Sequence, residues 1–218
     1  MPRKPRPLVR DAATLRDDRL FLLACDDRYA PKQYFDFFRI ARIQVHVIPT
    51  EDGTSSSVHV LDRLLAIDYE PGDQRWLVLD TDHYTQAQHV ASFQQTLQRA
   101  RQVGVNVALS RPCFETWLLL HHTGEEAVIG TESAGDIARL IRSHRGEYNK
   151  TKLKREHYPI ESVIEAIGRA ARLDSQVTGG DIPQATTTRV HKIWHEIIKG
   201  AHPTQLPKEF VPLRGTIL

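Results

Sequence analysis

The fold of this chain is decided by the stretch Trp76-Leu77-Val78-Leu79-Asp80-Thr81-Asp82-His83. Its four consecutive apolar residues predict a strand buried on both faces, as in an open parallel sheet. Two carboxylates stand at the C-terminal end of this strand, and residues i and i+2 of an extended chain point the same way. Asp80 and Asp82 can therefore converge on one point, where they repel each other unless a cation lies between them. The pattern makes this strand end a candidate site for Mg²⁺ or Mn²⁺, ions that prefer oxygen ligands.

Strands and helices alternate on both sides of this stretch. The other predicted strands span 20–25, 43–48 and 105–109, and the predicted helices span 31–42, 58–67 and 89–102. A helix is also predicted from near Pro112, and the pattern from about Ser133 onward is helical, with no further strand. Right-handed crossovers between the strands favour a parallel sheet with helices on both faces. We therefore predict an α/β fold: a four-stranded, mostly parallel sheet flanked by helices, with a helical C-terminal region.

The bulk composition excludes several classes of protein. With 218 residues, 40% hydrophobic and 26% charged, the chain is globular in composition. No apolar run approaches the roughly 20 residues that a membrane span needs. The two cysteines cannot form a disulfide framework and suggest a reducing compartment, so we expect a cytoplasmic protein without membrane partners. The predicted organisation is a basic flexible arm at 1–17, an α/β core at 18–125 and a helical region at 126–218.

The positive charge of the chain is unevenly distributed. The net charge is only +2, so no strong global field attracts nucleic acid. Local clusters can still contact phosphates, and a solvated helix face explains the basic run after Asn149 equally well. The residues that we consider candidate contacts to a nucleic-acid backbone are Lys150, Lys152, Lys154, Arg155, His83 and Arg111.

Acidic residues follow three of the predicted strands. Asp26 with Asp27 follows the first strand, Asp80 with Asp82 follows the third, and Glu115 follows the fourth. Parallel topology places these strand ends at the same edge of the sheet, where ligands bind in open α/β folds. Acids after strands often cap the next helix instead, and Glu115, in an apolar setting, requires a partner such as an Arg or Lys elsewhere in the chain. Both interpretations stay open at this point.

The segment from Ser110 to His121 resembles the Ser-x-Pro-Cys-Phe-Glu-x-Trp-Leu-Leu-Leu-His motif of the RloB-like proteins. These are relatives of the TOPRIM fold that are often encoded beside an ATPase in bacterial defence and restriction-linked loci. The family's Asp-x-Asp falls on Asp80 and Asp82, and its opening Cys-Glu-Gly-Glu-x-Thr-Glu falls on 25–31. A later Gly-x-Tyr-x-Lys segment is similar to residues 146–150. The resemblance covers about residues 18 to 155.

The resemblance implies a TOPRIM-like core with a Mg²⁺- or Mn²⁺-dependent centre that cleaves phosphodiesters. Asp80 and Asp82 would be metal ligands, and Asp26 and Glu115 would each serve as a ligand or as a base that orients water. Asp26 stands where the family has a glutamate, so its side chain is one methylene shorter, and Asp27 replaces the following glycine.

Several functions follow from this resemblance. The first expectation is a nuclease acting on DNA or RNA, an effector of anti-phage defence regulated by an ATPase partner. The alternative is a catalytically degraded regulatory subunit that binds nucleic acid or the ATPase. A phosphoryl-transfer enzyme acting on a small nucleotide is a third hypothesis. Assembly into a homo-oligomer is compatible with each of them.

Overall fold

A computed structural model describes residues 18–50, 54–84, 87–178 and 180–217. The predicted basic arm at 1–17 lies outside these ranges. The strands are β1 (Arg19–Cys25), β2 (Ile43–Ile48), β3 (Gln74–Asp80), β4 (Asn106–Arg111) and β5 (Thr187–Thr188). The α-helices are α1 (Ala30–Asp36), α2 (Ser57–Leu65), α3 (Ala87–Gln102), α4 (Glu115–Leu120), α5 (Ala134–Arg145), α6 (Ile160–Ser175), α7 (Val190–Gly200) and α8 (Val211–Ile217).

The strands form one five-stranded sheet in the order β2-β1-β3-β4-β5. Strands β1 to β4 are parallel, which confirms the predicted α/β fold and its helical C-terminal region. Strand β5 runs antiparallel to β4, pairing Thr188 with Ser110 and Thr187 with Arg111. The prediction that no strand follows β4 was therefore wrong. A two-residue strand has no periodicity of its own, and it forms here because the edge of β4 offers unpaired backbone groups.

Helices cover both faces of the sheet, as the buried strands require. In β1, Phe21 and Leu23 point into a core shared with α1 and α4 to α7, whereas Leu22 and Ala24 point into a core shared with α2 and α3. This alternation is the two-residue period of an extended chain. The C-terminal helices therefore form a layer on one face of the sheet, while the boundary predicted between residues 125 and 126 stays a prediction.

Helix α1 is shorter than the helical spacing predicted. It ends at Asp36 instead of Arg42. Ile40 forms an isolated bridge to Ile43, and Arg42 has a φ of 60°, a left-handed conformation outside the helical region. The chain turns early because Ile43 pairs with Arg19 at the start of β1. No helix in the described part of the chain is both long and apolar enough to cross a membrane.

Candidate active site

The C-terminal ends of β1, β3 and β4 bring the four predicted acids to one edge of the sheet. Asp26 directly follows β1, Asp80 ends β3, Asp82 lies two residues further on, and Glu115 begins α4 after β4. The backbone N–H of Asp80 donates a hydrogen bond to Oδ2 of Asp26 at 2.9 Å, which joins the first two strand ends directly. The convergence expected from parallel topology is thus present in the structure.

These acids line a single cavity with a volume of about 550 Å³. Its walls come from the strand ends, from helix α5 and from the segment that follows α5. The lining residues used below are Asp26, Asp27, Asp80, Asp82, Cys113, Glu115, Arg28, Arg142, Tyr148 and Lys150. Five carboxyl groups and three cationic side chains therefore surround one space.

Burial and mutual repulsion raise the pKa values of two of these carboxyl groups. Burial raises the pKa of Asp26 to about 8; the hydrogen bond from the Asp80 backbone opposes that shift, and the charges of Asp27 and Asp82 add to it. Burial also raises the pKa of Asp80 well above its usual range, and the negative charges of Asp26 and Glu115 raise it further. Perturbed carboxyl groups in a cavity are typical of functional sites, because a structural role rarely requires unpaired buried charge.

Tyr148 supplies the buried partner that Glu115 requires. Glu115 is 5% exposed, and the Tyr148 hydroxyl donates a hydrogen bond to its Oε1 at 2.9 Å. Burial, and then the charge of Glu115, raise the pKa of Tyr148, so the phenol stays protonated as the donor. The expected Arg or Lys partner is therefore a tyrosine. This contact fixes the orientation of the Glu115 carboxylate toward the cavity.

Asp27 follows the same strand end as Asp26, but the sequence-based prediction gave it no role in the site. Its Oδ1 accepts hydrogen bonds from the backbone N–H groups of Tyr29 at 2.5 Å and Ala30 at 3.1 Å, at the start of α1. Its Oδ2 lies 2.9 Å from the Lys150 ammonium, in an ion pair whose acidic side chain is 5% exposed. Its position directly after Asp26 at a strand end was the available signal. Asp27 thus stabilises the start of α1 and holds the Lys150 ammonium at the cavity.

The other predicted nucleic-acid contacts have different surroundings. Lys152 and Arg155 are exposed, and Lys154 pairs with Glu147. Arg111 lines a different cavity, on the other side of β3. The side chain of His83 is outside the described part of the structure. Of the five predicted contacts whose side chains the structure describes, Lys150 is therefore the one that lies beside the acids.

The donor set of the acidic cavity suits a hard divalent cation. All of its acidic groups offer oxygen ligands, the type that Mg²⁺ and Mn²⁺ prefer. A cation would also relieve the repulsion that raises the pKa values of Asp26 and Asp80. Within the described ranges, however, no group of three or more His, Cys, Asp or Glu side chains is arranged to hold a metal ion. The residues fit the ion by chemistry, and binding would require the carboxylates to move together.

Comparisons with known proteins place the chain in a family. The family model described as RloB-like protein matches residues 21–197, which include the acidic strand ends and the helices through most of α7. No curated protein and no solved structure matches the chain. Because the family model covers most of the sequence, the chain belongs to the RloB-like protein family.

Proposed function

We propose that this protein is a metal-dependent nuclease with a TOPRIM-like core, which hydrolyses phosphodiester bonds of DNA or RNA. The single observation that carries the proposal is the convergence of Asp26, Asp80, Asp82 and Glu115 on one cavity at the carboxyl edge of the parallel sheet. The order of the acids along the chain, one after β1 and a pair at the end of β3, agrees with the resemblance that suggested the TOPRIM-like core.

Each acid has a chemical role in this proposal. Asp80 and Asp82 would hold Mg²⁺ or Mn²⁺, and Asp26 and Glu115 would act as further ligands or as a base that orients water. The bound ion would supply Lewis-acid stabilisation of charge on the scissile phosphate. The chain's own contribution is preorganisation: Tyr148 orients Glu115, and the Asp80 backbone orients Asp26.

Cationic side chains at the same cavity would position the substrate. Arg28, Arg142 and Lys150 line it together with the acids. Arginine and lysine donate charge-assisted hydrogen bonds to phosphate oxygens, so these residues would hold the strand beside the carboxylates. The cavity would thus combine groups that bind a metal ion with groups that bind a phosphate.

The biological part of the proposal rests on the family resemblance. We propose that the nuclease is an effector of a prokaryotic anti-phage defence system and that an ATPase encoded nearby regulates it. Purification with and without the product of a neighbouring Walker-type ATPase gene would test the partnership. Co-purification of the two proteins, with cleavage altered by ATP, is the expected result.

The test of the enzymatic proposal is a cleavage assay. The full chain is incubated with plasmid DNA and with total RNA in Mg²⁺ or Mn²⁺, beside Asp80→Ala and Asp82→Ala. Asp36→Ala is the matched control, because Asp36 is an exposed aspartate paired with Lys32 and does not line the cavity. We expect cleavage by the wild type and by the control, and at least a hundredfold loss in each site variant. Cleavage that survives both site substitutions would refute the assignment.

One observation favours the alternative, a regulatory subunit whose acidic site has lost catalysis. The Lys150 ammonium already neutralises one carboxylate of the cavity, because it binds Asp27. A protein of this kind would bind nucleic acid or the ATPase without cleaving. Absence of cleavage with the ATPase present, together with no thermal shift in Mn²⁺, would support this alternative over the nuclease.

A further inference from the structure

A second cavity, with a volume of about 760 Å³, lies on the other side of the same strand end. Thr81 lines it, whereas the neighbouring Asp80 and Asp82 line the acidic cavity. The division arises where the chain leaves β3 at Asp80 and turns through Thr81 into a 3₁₀ helix at Asp82–Tyr84. The tripeptide at the end of β3 therefore faces two different cavities, one acidic and one not.

The second cavity presents amide and guanidinium groups. Gln94 and Gln98 reach it from α3, and Gln184 reaches it from the segment before β5. Each glutamine offers both a carbonyl acceptor and an amide donor. Arg111, at the end of β4, also lines the cavity and donates one hydrogen bond to the Pro183 carbonyl at 3.3 Å. The polar lining can thus recognise a ligand that carries both donors and acceptors.

The charge of this lining is moderately positive. Arg101 and Asp181 form an ion pair with each other, so they contribute no net charge. Arg111 remains as the uncompensated cation among the described lining residues. A guanidinium in this position suits one phosphate group. The acid cluster of the first cavity has no counterpart here.

Flat and apolar surfaces complete the cavity. The Tyr84 ring stacks on Phe93, with centroids 4.0 Å apart and an angle of 14° between the planes. Tyr84 lines the cavity together with Leu97 and Ile182. Such a combination, an aromatic ring and aliphatic side chains among a few convergent polar groups, is typical of sites for planar organic ligands.

The Thr81 hydroxyl is a second, independent indication of a ligand. Thr81 is 2% exposed, and its Oγ1 has no hydrogen-bond partner within the described residues. A buried polar atom without a partner costs free energy, and such atoms are rare in folded proteins. Because this oxygen is itself buried, a ligand in the cavity that Thr81 lines would satisfy it after a rotation of the Thr81 side chain.

We propose that the second cavity binds one nucleobase of a single-stranded nucleic acid. Glutamine amides recognise the polar edges of bases, aromatic rings stack on their faces, and Arg111 would contact an adjoining phosphate. The base must be unpaired, because a base inside a duplex has its Watson–Crick edge paired and its faces stacked, and it enters a cavity only after it leaves the stack. The inference deepens the proposed function: a strand whose base enters this cavity passes the end of β3, where the acids lie on the opposite side.

The test measures binding without cleavage, so it does not depend on catalysis. Fluorescently labelled nine-unit strands of abasic deoxyribose phosphate, each carrying one central A, G, C or T or none, are titrated with the full chain in EDTA. The same series is made with ribose. At least one base is expected to tighten binding about tenfold over the abasic strand. Equal affinity for all strands, with or without a base, would overturn the proposal.

Variants on one helix then assign the gain to this cavity. Gln94→Leu combined with Gln98→Leu is expected to abolish the tenfold gain, whereas the matched control Gln95→Leu, an exposed glutamine of α3 that does not line the cavity, retains it. A gain that survives the double substitution would place the base elsewhere and refute the assignment. Thermal unfolding of each variant verifies that it is folded.

Two further readouts separate the sources of the ligand and the two proposals. If a base in the strand does not tighten binding, but free nucleoside monophosphates compete for the protein, the cavity is a mononucleotide site. That result would overturn the claim for a strand. Failure of the nuclease proposal would appear as absent cleavage in Mn²⁺, with base-dependent binding in EDTA unchanged. Failure of the present inference would appear as loss of base dependence in binding, with metal-dependent cleavage unchanged.

Discussion

Replacing Asp26 with asparagine is expected to stabilise the metal-free protein at pH 8, although the side chain lies in the proposed active site. The pKa of Asp26 is raised from 3.8 to about 8, first by burial. The unfolded chain therefore releases its proton at a lower pH than the folded chain does. Stability falls as the pH rises from about 4 to about 8, because the folded state must either keep the proton or ionise in a cavity that disfavours charge.

The magnitude follows from the size of this shift. A rise from 3.8 to about 8 corresponds to roughly 5 kcal/mol at pH 8. We expect the substitution to recover about half of this free energy, roughly 2–3 kcal/mol. The reason is that Asp26 titrates together with the neighbouring carboxyl groups, so part of the shift belongs to the cluster and remains after Asp26 is replaced. Asparagine keeps the acceptor for the Asp80 N–H while removing the charge. For a chain of this size the gain is about 5–10 °C in Tm.

The assay is thermal unfolding of the wild type and Asp26→Asn at pH 4.5 and pH 8, with Asp36→Asn as an exposed control. We expect the stabilisation at pH 8 and about a fifth of it at pH 4.5, where the wild-type carboxyl is protonated in the folded state and ionised only in the unfolded chain. With Mn²⁺ at a hundredfold excess over its Kd, the wild type gains about 3 kcal/mol and the variant gains much less. Destabilisation of Asp26→Asn at pH 8, or an equal effect at both pH values, would refute the reasoning.

Three further predictions concern other contacts of the described residues. Burial lowers the pKa of His191 to about 4, so the unfolded chain binds the extra proton first as the pH falls from 6.5. We expect urea unfolding to show that the free energy of unfolding falls by about 3 kcal/mol between pH 6.5 and pH 4, and that His191→Gln reduces this fall. Tyr148→Phe removes the hydroxyl that donates to the buried Glu115, and should cost about 1–3 kcal/mol in urea unfolding at pH 7, whereas a retained midpoint would contradict the hydrogen bond. Lys150→Met frees the carboxylate of Asp27, and should tighten Mn²⁺ binding about tenfold by calorimetry; weaker binding would show that the ammonium does not compete with the ion.

The sequence was sufficient to predict the parallel sheet because its strands are continuous apolar runs. Leu77 to Leu79 are buried whichever face they point to, and this leaves no ambiguity of period. It was not sufficient for β5, whose two threonines acquire a strand conformation only by pairing with β4. The end of α1 was also misplaced: Ile40 fits helical spacing, yet it bridges to Ile43 as the chain turns into β2.

In the candidate site, the features set by sheet topology could be predicted from the sequence, whereas those set by contacts between distant residues could not. Convergence of the acids could be predicted because parallel strands end at one edge of the sheet. The partner of Glu115 could not, because Tyr148 lies 33 residues further along, beyond the predicted sheet. Lys150 was predicted to contact nucleic acid, but nothing in the local sequence indicated its ion pair with Asp27, 123 residues away. Pairings of this kind depend on how the C-terminal helices pack.

Calorimetric titration with Mn²⁺ at pH 8 tests the central claim most directly, because cation binding needs neither a substrate nor an activating partner. The account predicts saturable binding to the full chain, at least tenfold weaker binding to Asp80→Asn and to Asp82→Asn, and unchanged binding to the exposed control Asp36→Asn. It is contradicted if the wild type binds no Mn²⁺, or if Mn²⁺ binds equally tightly after both site aspartates have been replaced.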